Sequence, residues 1–111
     1  MRSLPHSIVR NVDVAGPGTM TTINPATEET IATVSALDAE GALDAVAAAE
    51  EAFEAWSHTR VAERVEIFRR WLAIMLDEQD ELARIVSAEG GKPLVEARLV
   101  DVFPALETLK Y

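Results

Sequence analysis

The chain has 111 residues, 49% hydrophobic and 26% charged, proportions of one globular domain that exclude collagenous and largely disordered chains. Nineteen acidic against ten basic residues leave a net charge of −9, which repels nucleic-acid phosphates and anionic lipid surfaces alike. Cysteine is absent, so thiol catalysis, thiolate metal ligation and disulfides are excluded.

Residues 1–19 contain Pro5, Gly16, Pro17 and Gly18, which interrupt any periodicity, and they read as a flexible tail. Residues 1–20 carry +1 and the remainder −10. A transit peptide is disfavoured because Arg is sparse and Asp13, Pro and Gly spoil an amphipathic helix. The plainer reading makes the tail a start-site artefact, with Met20 as the true start. No apolar run approaches the roughly 20 residues of a membrane span, and residues 1–18 lack the continuous apolar stretch of a secretory signal. The expectation is a cytoplasmic protein with neither a nucleic-acid nor a membrane partner.

Residues 20–37 predict a β-hairpin: a β-rich run at Thr21, Thr22 and Ile23, a turn at Asn24-Pro25-Ala26-Thr27-Glu28-Glu29, then Thr30, Ile31, Thr33 and Val34. Two strands alone are marginal in water, so the hairpin needs helices or further sheet to lie on. Asp38 caps a helix over 38–55, where Ala42, Val46, Ala49, Phe53 and Trp56 recur at spacings of four and three. A second helix over 61–76, capped near Thr59, sets Val61, Val65, Phe68, Leu72 and Met75 on one face. A second stripe, Ile67, Trp71 and Ile74, widens the surface expected to be buried. A third, over 80–89, offers Leu82, Ile85 and Val86 and stops at Gly90-Gly91.

Pro93 suits the first turn of a fourth helix over 93–111, with Val95, Leu99, Val102, Leu106 and Leu109 on its apolar face. Pro104 should kink it or unwind it near Val100. No stop signal precedes Lys110-Tyr111, which reads as a polypeptide cut short.

Motifs for chemistry are missing. His6 and His58 have no second ligand at helical spacing for zinc, and both are expected at the surface. An EF-hand loop from Asp77 would need glycine where Leu82 stands, so Asp77, Glu78, Asp80 and Glu81 read as a solvated helix start. Gly91-Lys92-Pro93 lacks both the Ser or Thr and the earlier glycine of a phosphate loop, and Gly16 and Gly18 lack the third glycine of a dinucleotide fingerprint. The residues alone describe an acidic, mainly α domain with a small N-terminal β-hairpin and no recognisable catalytic or cofactor-binding residues.

The succession Thr22-Ile23-Asn24-Pro25-Ala26-Thr27-Glu28-Glu29, Ile31-Ala32-Thr33-Val34, Ala45-Val46-Ala47-Ala48-Ala49 through Ala52-Phe53 to Trp56, Gly91-Lys92-Pro93-Leu94 and Leu109-Lys110-Tyr111 resembles the N-terminal part of the aldehyde dehydrogenase superfamily. The resemblance covers residues 20–111 and implies a fragment of an α/β cofactor-binding domain. It further implies oxidation of an aldehyde to a carboxylic acid with NAD or NADP, by a cysteine nucleophile, an asparagine, a base and a cofactor cleft. In that family these groups lie beyond the stretch matched here, so the chain alone is expected to be inactive and to bind no cofactor. The implied partners are the remaining aldehyde dehydrogenase polypeptide or further copies in a homo-oligomer. By the same resemblance, Thr22, Ile23 and Glu89 fall where several members hold a structural monovalent cation, and Val100 and Pro104 fall at the substrate entrance. The rival reading is a free-standing helical interaction or structural module without catalysis.

Overall fold

The computed structural model describes residues 7–110; His6 and Tyr111 lie outside them. Four strands, β1 (Ser7–Val9), β2 (Val12–Val14), β3 (Gly18–Ile23) and β4 (Thr30–Ala36), form two separate two-stranded antiparallel sheets, β1 with β2 and β3 with β4. Helices follow at Ala39–Ser57 (α1), Val61–Asp77 (α2) and Gln79–Gly90 (α3). A last helical stretch runs through Leu94–Glu96 (α4), a π-helical segment Ala97–Val102 and Phe103–Thr108 (α5). The chain divides into two compact bodies, one holding Ile23–Ile31 and residues 60–110, the other residues 7–22 and Ala32–Thr59.

In the second body, the stretch expected to be a flexible tail is instead partly sheet. Val9 pairs with Val12, so Arg10 and Asn11 form a two-residue turn. Both have positive φ, 51° and 61°, the geometry of the turn whose twist matches that of antiparallel strands. Arg10 also reaches Asp44 at 3.1 Å and Glu51 at 3.8 Å on α1. Gly16 is needed where the chain passes Ala36, because a Cβ there would lie 1.8 Å from the Ala36 carbonyl oxygen. Asp38 caps α1 as expected, its Oδ1 accepting the Gly41 N–H at 2.9 Å. The face of α1 that periodicity assigned to the interior is open: Val46 is 65% and Phe53 64% exposed, whereas Ala48 is the buried residue of this helix.

The first body has the larger core. Ala83, Val102 and Leu106 are buried together, with Leu72, Met75 and Leu82 packed over them. Arg60, rather than Thr59, precedes α2; its backbone N–H donates to Glu63 Oε2 at 3.2 Å, while the Thr59 hydroxyl turns back to the Ala55 carbonyl. Helix α2 buries no residue completely, and the Ile67, Trp71 and Ile74 stripe is exposed.

Pro104 acts as its chemistry requires, with a different outcome from a simple kink. Proline has no N–H, and its ring crowds the carbonyl four residues earlier, that of Val100. The helix widens there into the π segment, where the Phe103 N–H reaches back five residues to the Arg98 carbonyl. The helix expected over 93–111 ends at Thr108, with Leu109 and Lys110 in a turn.

Candidate functional site

A constrained corner of the first body lies between α3 and α4. Gly91 ends α3 with φ 62° and ψ 21°, a left-handed conformation that glycine adopts freely. A Cβ on it would stand 2.7 Å from Pro25 Cγ and 3.2 Å from the Ala26 nitrogen, so the turn between β3 and β4 rests directly on this corner. Asn24 shapes that turn. Its Oδ1 accepts the Ala26 N–H at 2.9 Å, its carbonyl accepts the Glu28 N–H at 2.7 Å, and its own N–H donates to the Glu29 carbonyl at 2.9 Å.

Beyond Gly91, the Ser87 hydroxyl donates to the Lys92 carbonyl at 2.6 Å and Lys92 Nζ meets Asp101 Oδ2 at 2.8 Å. The hydrogen bond to Asp101 raises the Lys92 ammonium above its ordinary value, more than its slight desolvation lowers it. Arg98 pairs with Asp80 at 2.9 Å, tying the π segment to the start of α3. A cleft of about 300 Å³ lies at this corner, bordered by Asn24, Ser87, Gly91 and Lys92. The Ser87 hydroxyl is committed to the Lys92 carbonyl, and no imidazole stands among the described residues that line the cleft.

Glu89 and Ile23 are exposed residues of the first body, and Thr22, in the second, donates its hydroxyl to the Ala32 carbonyl at 3.3 Å. Among the described residues no group of three or more His, Cys, Asp or Glu side chains converges as a metal site. Val100 and Pro104 are exposed on the last helical stretch, Val100 to 62%, and neither lines the cleft. The spaces beside Gly16 and Gly91 are filled by Ala36 and Pro25 of the chain itself. No step of cofactor chemistry is assigned to these residues.

Sequence reasoning missed the Lys92–Asp101 pair and the seat of Pro25 on Gly91. Opposite charges on either side of a helix start were the signal for the first. The second pairs residues 66 positions apart and leaves no local pattern.

Exposed apolar surface dominates both bodies. Six apolar residues are buried among those described, three of them alanines, whereas 21 large apolar residues are exposed. No helix among the described residues is long and apolar enough to cross a membrane.

The model of the aldehyde dehydrogenase family matches residues 12–111. A 3-sulfolactaldehyde dehydrogenase of Pseudomonas putida is 44% identical over 79 residues, 71% of this chain and 16% of the relative. The solved structure of PnpE in complex with nicotinamide adenine dinucleotide superposes with a TM-score of 0.88 at 28% identity, covering 96% of this chain and 22% of that one. An NAD-dependent benzaldehyde dehydrogenase from Corynebacterium glutamicum shares the fold with a TM-score of 0.90 at 23% identity, over 98% of this chain and 24% of its own. The chain thus spans less than a quarter of each of these three proteins.

Proposed function

The chain belongs to the aldehyde dehydrogenase family, as an N-terminal portion, and we propose that it serves an NAD(P)-dependent oxidation of aldehydes to carboxylic acids by supplying structure rather than chemistry. The observation that carries this reading is the family match over residues 12–111 in a chain without a single cysteine. The reactive groups and the NAD or NADP site then belong to the remaining aldehyde dehydrogenase polypeptide, which is also the partner for apolar surface such as Val95, Leu99, Val100 and Phe103, each more than half exposed.

Val100 and Pro104 are proposed to border the route by which the aldehyde enters. The oxygens of Thr22, Ile23 and Glu89 are proposed to contribute to a monovalent-cation site, for which oxygen donors suit a hard cation. The acidic, cysteine-free composition supports a cytoplasmic location. Absorbance at 340 nm tests the main reading. The purified chain with NAD or NADP and a panel of aldehydes is expected to give no turnover, and sustained reduction of either nucleotide would overturn the assignment.

A further inference from the structure

The last helical stretch sorts its side chains in a way that an unbroken α-helix would not. Ala97, Val102 and Leu106 are buried on its inner side, whereas Val95, Leu99, Val100 and Phe103 are each more than half exposed. In a regular α-helix Ala97 and Val102, five residues apart, would diverge by about 140° around the axis. The π turn, in which the Phe103 N–H reaches the Arg98 carbonyl five residues back, brings them to one side. Pro104 forbids the α-helical bond at its own position, but it does not decide how the widened turn is rotated on the body. Two ion pairs do. Lys92, ahead of α4, reaches across nine residues to Asp101 at 2.8 Å, and Arg98 holds Asp80 on α3 at 2.9 Å. The Lys92–Asp101 pair is the least exposed ion pair among the described residues, at 29% and 35%, and so the least screened by salt. Asp101 stands in sequence between Val100, which is exposed, and Val102, which is buried, so the direction in which its carboxylate is held fixes the rotation of both.

We propose that Lys92 and Asp101 are positioning residues for the aldehyde route: their ion pair sets the rotation of the π turn and thereby the placement of Val100 beside the entering substrate. The inference rests on the entrance proposed above at Val100 and Pro104. Lys92 and Asp101 touch neither aldehyde nor nucleotide themselves, so loss of the pair alters the fit of the aldehyde and spares the chemical step.

A complete enzyme tests it, with residues 12–111 of this chain in place of the matching portion of the Pseudomonas putida 3-sulfolactaldehyde dehydrogenase. Lys92→Met and Asp101→Asn should each raise KM for the relative's aldehyde about three- to tenfold, while kcat and the KM for the nucleotide stay within about twofold. Lys92→Arg, which keeps the pair, should match the unsubstituted chimaera. The double variant K92M/D101N should be no worse than either single one, because both remove the same interaction. A pair that merely stabilises the fold would lower kcat through a smaller folded fraction and leave both KM values alone. That result, unchanged kinetics, a Lys92→Arg variant as impaired as Lys92→Met, or losses that add in the double variant would overturn the proposal. An unsubstituted chimaera that folds and binds the nucleotide yet oxidises no aldehyde would instead overturn the reading beneath it, and the proposal with it.

Discussion

The two bodies of this molecule are held together by different means. In the one containing residues 60–110, Ala83, Val102 and Leu106 are enclosed by Leu72, Met75 and Leu82. In the other, burial among the described residues is confined to Val9 and Ala48, and the fixed points are a tight turn, a close passage at Gly16 and the ion pairs of Arg10 with Asp44 and Glu51. Burying one leucine stabilises a protein by about 1.5–3 kcal/mol, whereas an exposed ion pair contributes about 0–1 kcal/mol. Cooperative stability should therefore reside in the first body, with the second open to local unfolding.

Removing the centre of the core gives the largest expected effect. Leu106→Ala should cost about 2–5 kcal/mol through lost burial and the cavity left behind, read from urea denaturation; a loss under about 1 kcal/mol would mean that this cluster is not what stabilises the body. Gly91→Ala comes next, at about 1–3 kcal/mol, because the new methyl meets both a left-handed backbone and Pro25. An unchanged urea midpoint would remove the turn of β3 and β4 from that corner. Asp38→Ala should cost about 0.5–2 kcal/mol of α1 stability, visible as faster amide exchange in α1 and unchanged exchange in α3. Equal acceleration in both helices would contradict the separation of the two bodies.

The smallest effects are those of pH. Lys92 is raised by Asp101, so its contribution is complete below its ordinary value of 10.5 and disappears as pH climbs through the raised value. Glu63 is lowered, first by the Arg60 side chain and then by its backbone N–H, so its contribution is present above 4.5 and disappears as pH falls through the lowered value. Thermal melts should accordingly lose stability at both extremes. Lys92→Met should flatten the alkaline limb alone and Glu63→Gln the acid limb alone; either variant altering the opposite limb would refute these assignments.

The helices were legible because their ends are chemically marked: Asp38 before α1, glycine after α3, Pro93 before α4. Periodicity also grouped residues by face correctly, but it cannot say which face is covered. Val46 and Phe53, or Ile67, Trp71 and Ile74, look like core in sequence and lie open in the structure. The β1–β2 turn escaped notice because its left-handed positions are filled by Arg10 and Asn11 instead of glycine. Pro104 announced a disturbance near Val100, whereas the widened π turn depends on how the helix reseats its hydrogen bonds. At the candidate site, Gly91 was legible as a helix stop but not as the seat of Pro25. The residues proposed for cation binding and substrate entry came from resemblance, since no local spacing singles them out.

The central claim is that these residues serve as the opening portion of an aldehyde dehydrogenase. A chimaera tests it most directly, with this chain's matching 79 residues replacing the corresponding portion of the Pseudomonas putida 3-sulfolactaldehyde dehydrogenase. We expect a folded chimaera that reduces NAD or NADP with the relative's aldehyde. A chimaera that folds and binds the nucleotide yet oxidises no aldehyde would contradict the claim.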